Sequence, residues 1–264
     1  MFTYSFIVIP VVFTALLFLE RIFPLRKANR AIGHRLLVNA SLSFLTFGIV
    51  YLLVRPASLG LLHWNASHLV GIVPLFRFSS IVQGVLGFLL LDLTFYYWHR
   101  LNHSLPFLWR FHNVHHFDPD LDISTGFRFH FGEVALSVFF RAAQVLIVGA
   151  PISTFLAYEF VFQLGTFFHH SNVRLPFHFE KMLNWIIVTP RMHGIHHSQV
   201  QEETNSNYSV VFSFWDRLHR SFRWAISQSE IKIGVPGYNR VEDNSLRSVV
   251  RAPFEKQREY WSVR

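Results

Sequence analysis

The chain has 264 residues, of which 51% are hydrophobic and only 15% charged, a balance that excludes an ordinary soluble domain and points to the bilayer. Lysine and arginine number 24 against 16 acidic residues, yet no nucleic-acid motif accompanies that +8 charge, so its expected anionic partner is a membrane surface and not nucleic acid. With no cysteine, the chain has no disulfides, thiolate-ligated haem, cysteine-bound iron–sulfur cluster or cysteine nucleophile, and any redox chemistry rests on nitrogen and oxygen ligands.

Residues 2–19 form an apolar run with no basic residue before it and Arg21, Arg26, Lys27, Arg30 and Arg35 after it. A cleaved signal peptide carries its positive charge first, so this run is expected to be a retained membrane helix with its N-terminus outside. The run 36–54 returns across the membrane, and the connection that follows it to Arg77 carries few basic residues and is expected outside. The run 81–98 is long enough to cross a hydrocarbon core of roughly 30 Å and delivers His99 to the cytoplasmic face. Residues 134–168 are too long for one crossing and too short for two of ~20 residues each. Gly149-Ala150-Pro151 sits at their middle, which predicts a helical hairpin that dips in and returns, ending at His169 and His170. Arg141 and Glu159 are placed to pair across it. From Ser171 the polarity rises, with Arg174, Lys181, Arg191, Arg217, Arg220 and Arg223 among aromatics, as in a cytoplasmic cap. The chain therefore reads as an all-α integral membrane protein with about four membrane-embedded helical elements, three spans plus a hairpin, and a His-rich helical cap.

Of the 16 histidines, half fall in three short stretches: His99 and His103 in HRLNH, His112, His115 and His116 in HNVHH, and His193, His196 and His197 in HGIHH. Partners three or four positions apart share a helix face, so each stretch presents its imidazoles in one direction, which is metal-ligand spacing. On the expected topology all three stretches and the His169-His170 pair reach the same side of the membrane. Neutral imidazole suits iron, zinc, copper and nickel, and eight or more converging rings suffice for two ions. A closed structural zinc site takes fewer ligands and favours cysteine. Iron fits best, because two adjacent redox-active ions can activate dioxygen against an inert C–H bond. The chain has no Glu-x-x-His pair of a carboxylate-bridged bundle, no His-Glu-x-x-His helix, no Gly-x-Ser-x-Gly elbow and no phosphate loop. Two rival uses of histidine are a metal transporter, whose spans would carry them, and a bis-histidine haem, which needs facing histidines within helices. A zinc-loaded hydrolase on the same site also stays open. Asp92, seven residues before His99, and Asp118 or Asp122 could hold a ligand's other nitrogen. His34, His63, His68, His178 and His219 read as ordinary polar residues.

The segments LDLTFYYWHRLNH, HNVHH, FRFHFGE, FFHHSN, TPRMHGIHHS and NYSVVFSFWDRL, in that order over residues 81–224, resemble the fatty acid hydroxylase/sterol desaturase superfamily of integral-membrane di-iron oxidases. The resemblance implies N-terminal transmembrane helices at 1–78, a catalytic domain at 79–240 and a peripheral tail at 241–264. It makes His99, His103, His112, His115, His116, His193, His196 and His197 iron ligands, with His170 a ninth and His130, His169 or water completing one ion. It further implies dioxygen as co-substrate, a lipid substrate, and electrons from a ferredoxin, cytochrome b5-like protein or reductase docking on the basic cap. The family's Trp-Asp-Arg-Leu usually continues Phe-Gly-Thr, where this chain reads His219-Arg220-Ser221.

Overall fold

Long apolar helices dominate the computed structural model, which describes residues 2–259 and 261. The helix α1 (Phe2–Ile22) leads through a basic loop into α2 (Ile32–Ile49). The second apolar run does not end at residue 54: the helix widens into a π turn over Val50–Val54 and continues as α3 (Arg55–His68). Pro56 explains the widening, because it lacks an N–H and its ring crowds the carbonyl four residues back, and a π turn relieves that conflict. The connection expected outside is therefore largely helical, and its irregular part is confined to the residues around the short α4 (Ile72–Leu75).

The third run becomes α5 (Ser80–Ser104), long enough to carry both His99 and His103. Leu105 is extended (φ −97, ψ 116), as the residue before a proline prefers, and Pro106 then opens α6 (Pro106–His116), so the chain folds back at once beside α5. The expected hairpin is present as α7 (Phe131–Val148) and α8 (Ile152–His170). Its tip depends on two glycines. Gly149 has φ +65, and a Cβ there would lie 2.3 Å from the Val70 carbonyl oxygen. Gly71 has φ +115, and its Cβ would lie 2.5 Å from the Gly149 nitrogen. No side chain fits at either position, so the tip sits directly on the α3–α4 connection. Among the described residues, Ile32–Leu75, Ser80–Ser104 and Phe131–Val148 are long and apolar enough to cross a membrane.

Short helices α9 (Phe177–Leu183), α10 (Pro190–His196), α11 (Gln201–Thr204), α12 (Phe214–Leu218) and α13 (Leu246–Arg251) make the rest of an all-helical fold. The described residues contain isolated β-bridges but no strand. One core cluster joins Leu62, Leu91, Val145, Phe155 and Tyr158 at the level of the hairpin, and another joins Val38, Leu42, Trp109, Val114, Phe117 and Val249 near the histidines. The charged tail is thus less peripheral than its composition predicts: Val249 is fully buried.

Buried charge ties the helices to the segment after α6. Arg35 makes a bidentate pair with Asp118 at 2.6 and 2.9 Å and reaches Asp122 at 2.8 Å. Arg128, fully buried, donates to the Val114 carbonyl, to Asn39 Oδ1 and to Asn244 Oδ1 at 2.8–3.0 Å. Its guanidinium thereby joins three segments distant in sequence.

Candidate metal centre

The helical spacing does what the sequence predicts: α5 presents His99 and His103, α6 presents His112, His115 and His116, α8 ends on His170, and α10 presents His193 and His196, with His197 at its C-terminus. These nine imidazoles divide into two groups. His99, His103, His112, His116 and His196 form one, and His115, His170, His193 and His197 the other, each with ring nitrogens within 4.8 Å of one another. The groups adjoin. His115 and His116, neighbours in sequence, belong to different groups, and the His116 and His197 rings stack across the boundary at 4.3 Å.

The outward nitrogens are anchored. His99 Nδ1–H donates to the Tyr208 carbonyl at 2.7 Å, His196 Nδ1–H to the Ser206 carbonyl at 2.7 Å, and His112 Nδ1–H to Glu133 Oε1 at 2.8 Å. His170 and His115 donate in the same way to the Thr166 and Arg128 carbonyls at 2.8 and 3.2 Å. A carbonyl or carboxylate only accepts, so each of these rings carries a hydrogen on Nδ1, the tautomer that, in a neutral imidazole, turns a bare Nε2 lone pair inward.

Those inward nitrogens fit a cation and little else. In the four-ring group the Nε2 atoms of His115 and His170, His170 and His193, and His193 and His197 are 3.0, 3.0 and 3.1 Å apart. The His115 and His170 atoms are both acceptors and cannot hydrogen-bond each other. Nitrogens at right angles around one ion, each at a bond length of about 2.1 Å, would be spaced by about 3.0 Å. In the five-ring group His112 Nε2, His196 Nε2 and both nitrogens of His103 and His116 are buried without a hydrogen-bond partner. Protonation does not rescue His116, which burial and then the neighbouring rings hold well below the usual histidine range, as they hold His115, His193 and His197 in the other group. Burial pushes His196 down to about 3.

Other sequence-based expectations need correction. His130 belongs to neither group: its Nδ1 caps α7 by accepting from the Gly132 amide at 2.9 Å, and its Nε2 faces the Val250 carbonyl. His169 also lies outside both, with its ring 4.2 Å from that of His193 and a buried, unpartnered Nδ1. None of the carboxylates at 92, 118 and 122 holds a ligand. Asp92 accepts from the Phe212 amide at 3.0 Å and from Trp215 Nε1 at 2.9 Å, while Asp118 and Asp122 are spent on Arg35. Among the described residues the carboxylate that does hold one of these imidazoles is Glu133, and its place in the FRFHFGE segment was the available signal. The expected Arg141–Glu159 pair is present at 2.8 Å.

Beside the centre lies a cavity of about 500 Å³ between α2, α3, α5, α7 and α8. Among the described residues no histidine lines it, but Phe129, Glu133 and Thr166 do. Phe129 stacks on His115 at 4.5 Å, so one layer of side chains separates cavity from imidazoles.

A family model described as fatty acid hydroxylase matches residues 84–221, the stretch that carries all nine histidines. The chain belongs to the fatty acid hydroxylase family. It is 34% identical over 155 residues to the ornithine lipid hydroxylase OlsE of Rhizobium tropici, covering 59% of this chain and 46% of that protein. It is 26% identical over 137 residues to alkylglycerol monooxygenase of Homo sapiens, covering 52% and 29%. It is 28% identical over 140 residues to cholesterol 25-hydroxylase of Homo sapiens, covering 52% and 50%. The chain thus spans about half or less of the length of these relatives. No solved structure matches it.

In this fatty acid hydroxylase family member the segment around residues 206–221 acts as a clamp that histidine counting overlooks. Asp216 accepts from the Tyr208 and Ser209 amides at 2.8 and 2.9 Å, fixing the backbone whose carbonyls hold His99 and His196. Asn207, in the left-handed region at φ +54, donates to the Met192 carbonyl at 2.9 Å and completes the turn between them. Arg220 stands where the family usually has glycine, and it takes φ +60.

Proposed function

We propose that the chain is a membrane-bound non-haem di-iron oxidase that uses dioxygen and external electrons to hydroxylate a lipid. The observation that carries this is the pair of adjoining histidine groups with anchored Nδ1–H and converging, partnerless Nε2 atoms. His99, His103, His112, His116 and His196 would hold one ion, and His115, His170, His193 and His197 the other. When bound, two redox-active ions supply the activation of dioxygen; the overall change is insertion of one oxygen atom into C–H, the second leaving as water with two electrons and two protons from outside.

The protein's own share is positioning. Glu133 and the carbonyls of Tyr208, Ser206, Thr166 and Arg128 fix the ring orientations, and the apolar cavity supplies a dry approach for a lipid. The relatives' activities, on ornithine lipid, alkylglycerol and cholesterol, favour hydroxylation over desaturation. A cytoplasmic centre is supported by the basic residues between α1 and the start of α2, since Arg35, in the first turn of α2, pairs with Asp118 at the histidine-bearing end. Exposed Arg174, Lys181, Arg220 and Arg223 offer the electron donor, a ferredoxin, cytochrome b5-like protein or reductase, a basic docking surface. The spans carry few histidines away from this end, which disfavours a transport path.

Metal analysis of anaerobically purified protein is expected to find about two irons per chain, as two adjoining sites require. His115→Ala and His196→Ala are each expected to lose a different one. Stoichiometric native zinc, or an intense Soret band, would overturn the assignment. Lipids extracted from an expressing strain should show a species heavier by one oxygen atom than in the parent.

A further inference from the structure

We propose that the cavity binds a lipid alcohol, with its hydroxyl on the Arg141–Glu159 pair and its carbon chain running toward the histidines. The inference rests on the oxidase reading only for the chemistry at the far end of that chain.

A charge within a membrane-embedded hairpin is costly unless paired or used. Arg141 is held on several sides. Its Nη1 donates to Gln144 Oε1 at 2.9 Å, and Gln144 Nε2 is itself anchored on the Leu91 carbonyl and Thr94 Oγ1 at 3.0 and 2.8 Å. The guanidinium carbon lies 5.2 Å from the Phe95 ring centre and 5.8 Å from those of Phe140 and Phe162. Glu159, by contrast, is half-buried: 37% of its side chain is exposed, against 11% for Arg141, its Oε1, though ion-paired with Arg141, is buried without a hydrogen-bond partner, and both residues line the cavity. A pair whose purpose was to staple the hairpin would be sealed on both sides.

The pair is neutral overall but offers an acceptor and a donor side by side. A carboxylate or phosphate on the lipid would meet Glu159, and an amine would meet Arg141. A hydroxyl, which both donates and accepts, complements the two together. Around it the walls are Phe47, Phe95, Trp98, Phe155 and Phe162, suited to an apolar chain.

Arg141 lies eight residues along α7 from Glu133, about 12 Å of helix axis. Glu159 lies eleven residues along α8 from His170, about 16 Å. The hydroxyl and the carbon presented to the histidines are therefore separated by about 12–16 Å.

The test is a binding comparison of tritiated 1-hexadecanol, its methyl ether and palmitate, using the full chain in phosphatidylcholine nanodiscs. Hexadecanol is expected to bind saturably, with the ether and palmitate about ten-fold weaker, the loss of one hydrogen bond to a charged group. Glu159→Gln, which keeps only a neutral acceptor, is expected to narrow the hexadecanol-to-ether ratio and to raise palmitate affinity, because Arg141 is then unopposed. Equal binding of all three by the wild type would overturn the proposal, as would a Glu159→Gln protein that loses thermal stability but keeps the ratio. Should that variant not fold, the wild-type panel decides alone. Metal-stripped protein is expected to show the same ranking. Failure of the protein to take up iron while the ranking holds would thus sink the oxidase reading and leave this one, and iron uptake without the ranking would do the opposite.

Discussion

Glu133 provides a sharp test of how the centre is built, because it touches one histidine group and not the other. Its Oε1 accepts from His112 Nδ1 at 2.8 Å, the pair is almost wholly buried, and His112 belongs to the five-ring group. A hydrogen bond to a charged acceptor contributes about 1.5–3 kcal/mol, and one to a neutral acceptor about 1 kcal/mol. Glu133→Gln keeps an acceptor of the same shape and is expected to cost about 1 kcal/mol of metal binding, roughly five-fold in affinity. Glu133→Ala removes the anchor and frees the His112 ring, so a 10–100-fold loss is expected, on the order of 1.4–2.8 kcal/mol. The assay is retention of iron per chain during titration with a chelator of graded strength. In both variants one ion should leave early and the other should leave as in the wild type. Loss of both ions together, or an unchanged titration for Glu133→Ala, would refute the division into two groups with separate anchors.

Arg35→Ala would strand the buried Asp118 carboxylate, and breaking such a pair typically costs about 3–5 kcal/mol, so thermal unfolding in detergent should shift strongly downward. Arg220→Gly should raise stability by up to about 1 kcal/mol, since it removes a left-handed non-glycine residue; a lower melting temperature would mean that the arginine side chain is needed. For the metal-stripped protein, an imidazole held at about 3 by burial, as at His196, stays neutral when folded and gains its proton only on unfolding. Its contribution is fully present above the ordinary histidine value of about 6.5 and declines as pH falls toward 3, by about 1.4 kcal/mol at pH 5.5 for one such ring. Melting curves that do not move between pH 7 and 5.5 would contradict it.

The clustering of the histidines was legible in the sequence because helical spacing is a local property: HRLNH, HNVHH and HGIHH each fix their own geometry, and the fold has only to bring three faces together. What held those rings was not legible. Tyr208, Ser206, Thr166 and Arg128 act through backbone carbonyls, which every residue has, so no side chain advertises the role. Asp92 illustrates the opposite error. It shares a face with His99 but sits two turns away, about 10 Å along the axis, and finds Trp215 instead. The second apolar run ends at residue 54 by composition, but the π turn before Pro56 lets the helix continue to His68. His130 has the right residue type in the right segment but faces α7, a choice made by tertiary packing and invisible to spacing.

Arg128 links the centre to the order in which the chain is made. Its carbonyl orients His115, while its guanidinium donates to Asn39, translated long before it, and to Asn244, translated after the last proposed ligand. On a ribosome the histidines therefore emerge ahead of the final support for the ring they must aim. If the proposed centre holds iron, its insertion is expected to follow translation, and a nascent chain arrested before residue 244 should hold the four-ring ion poorly in a pull-down with labelled metal.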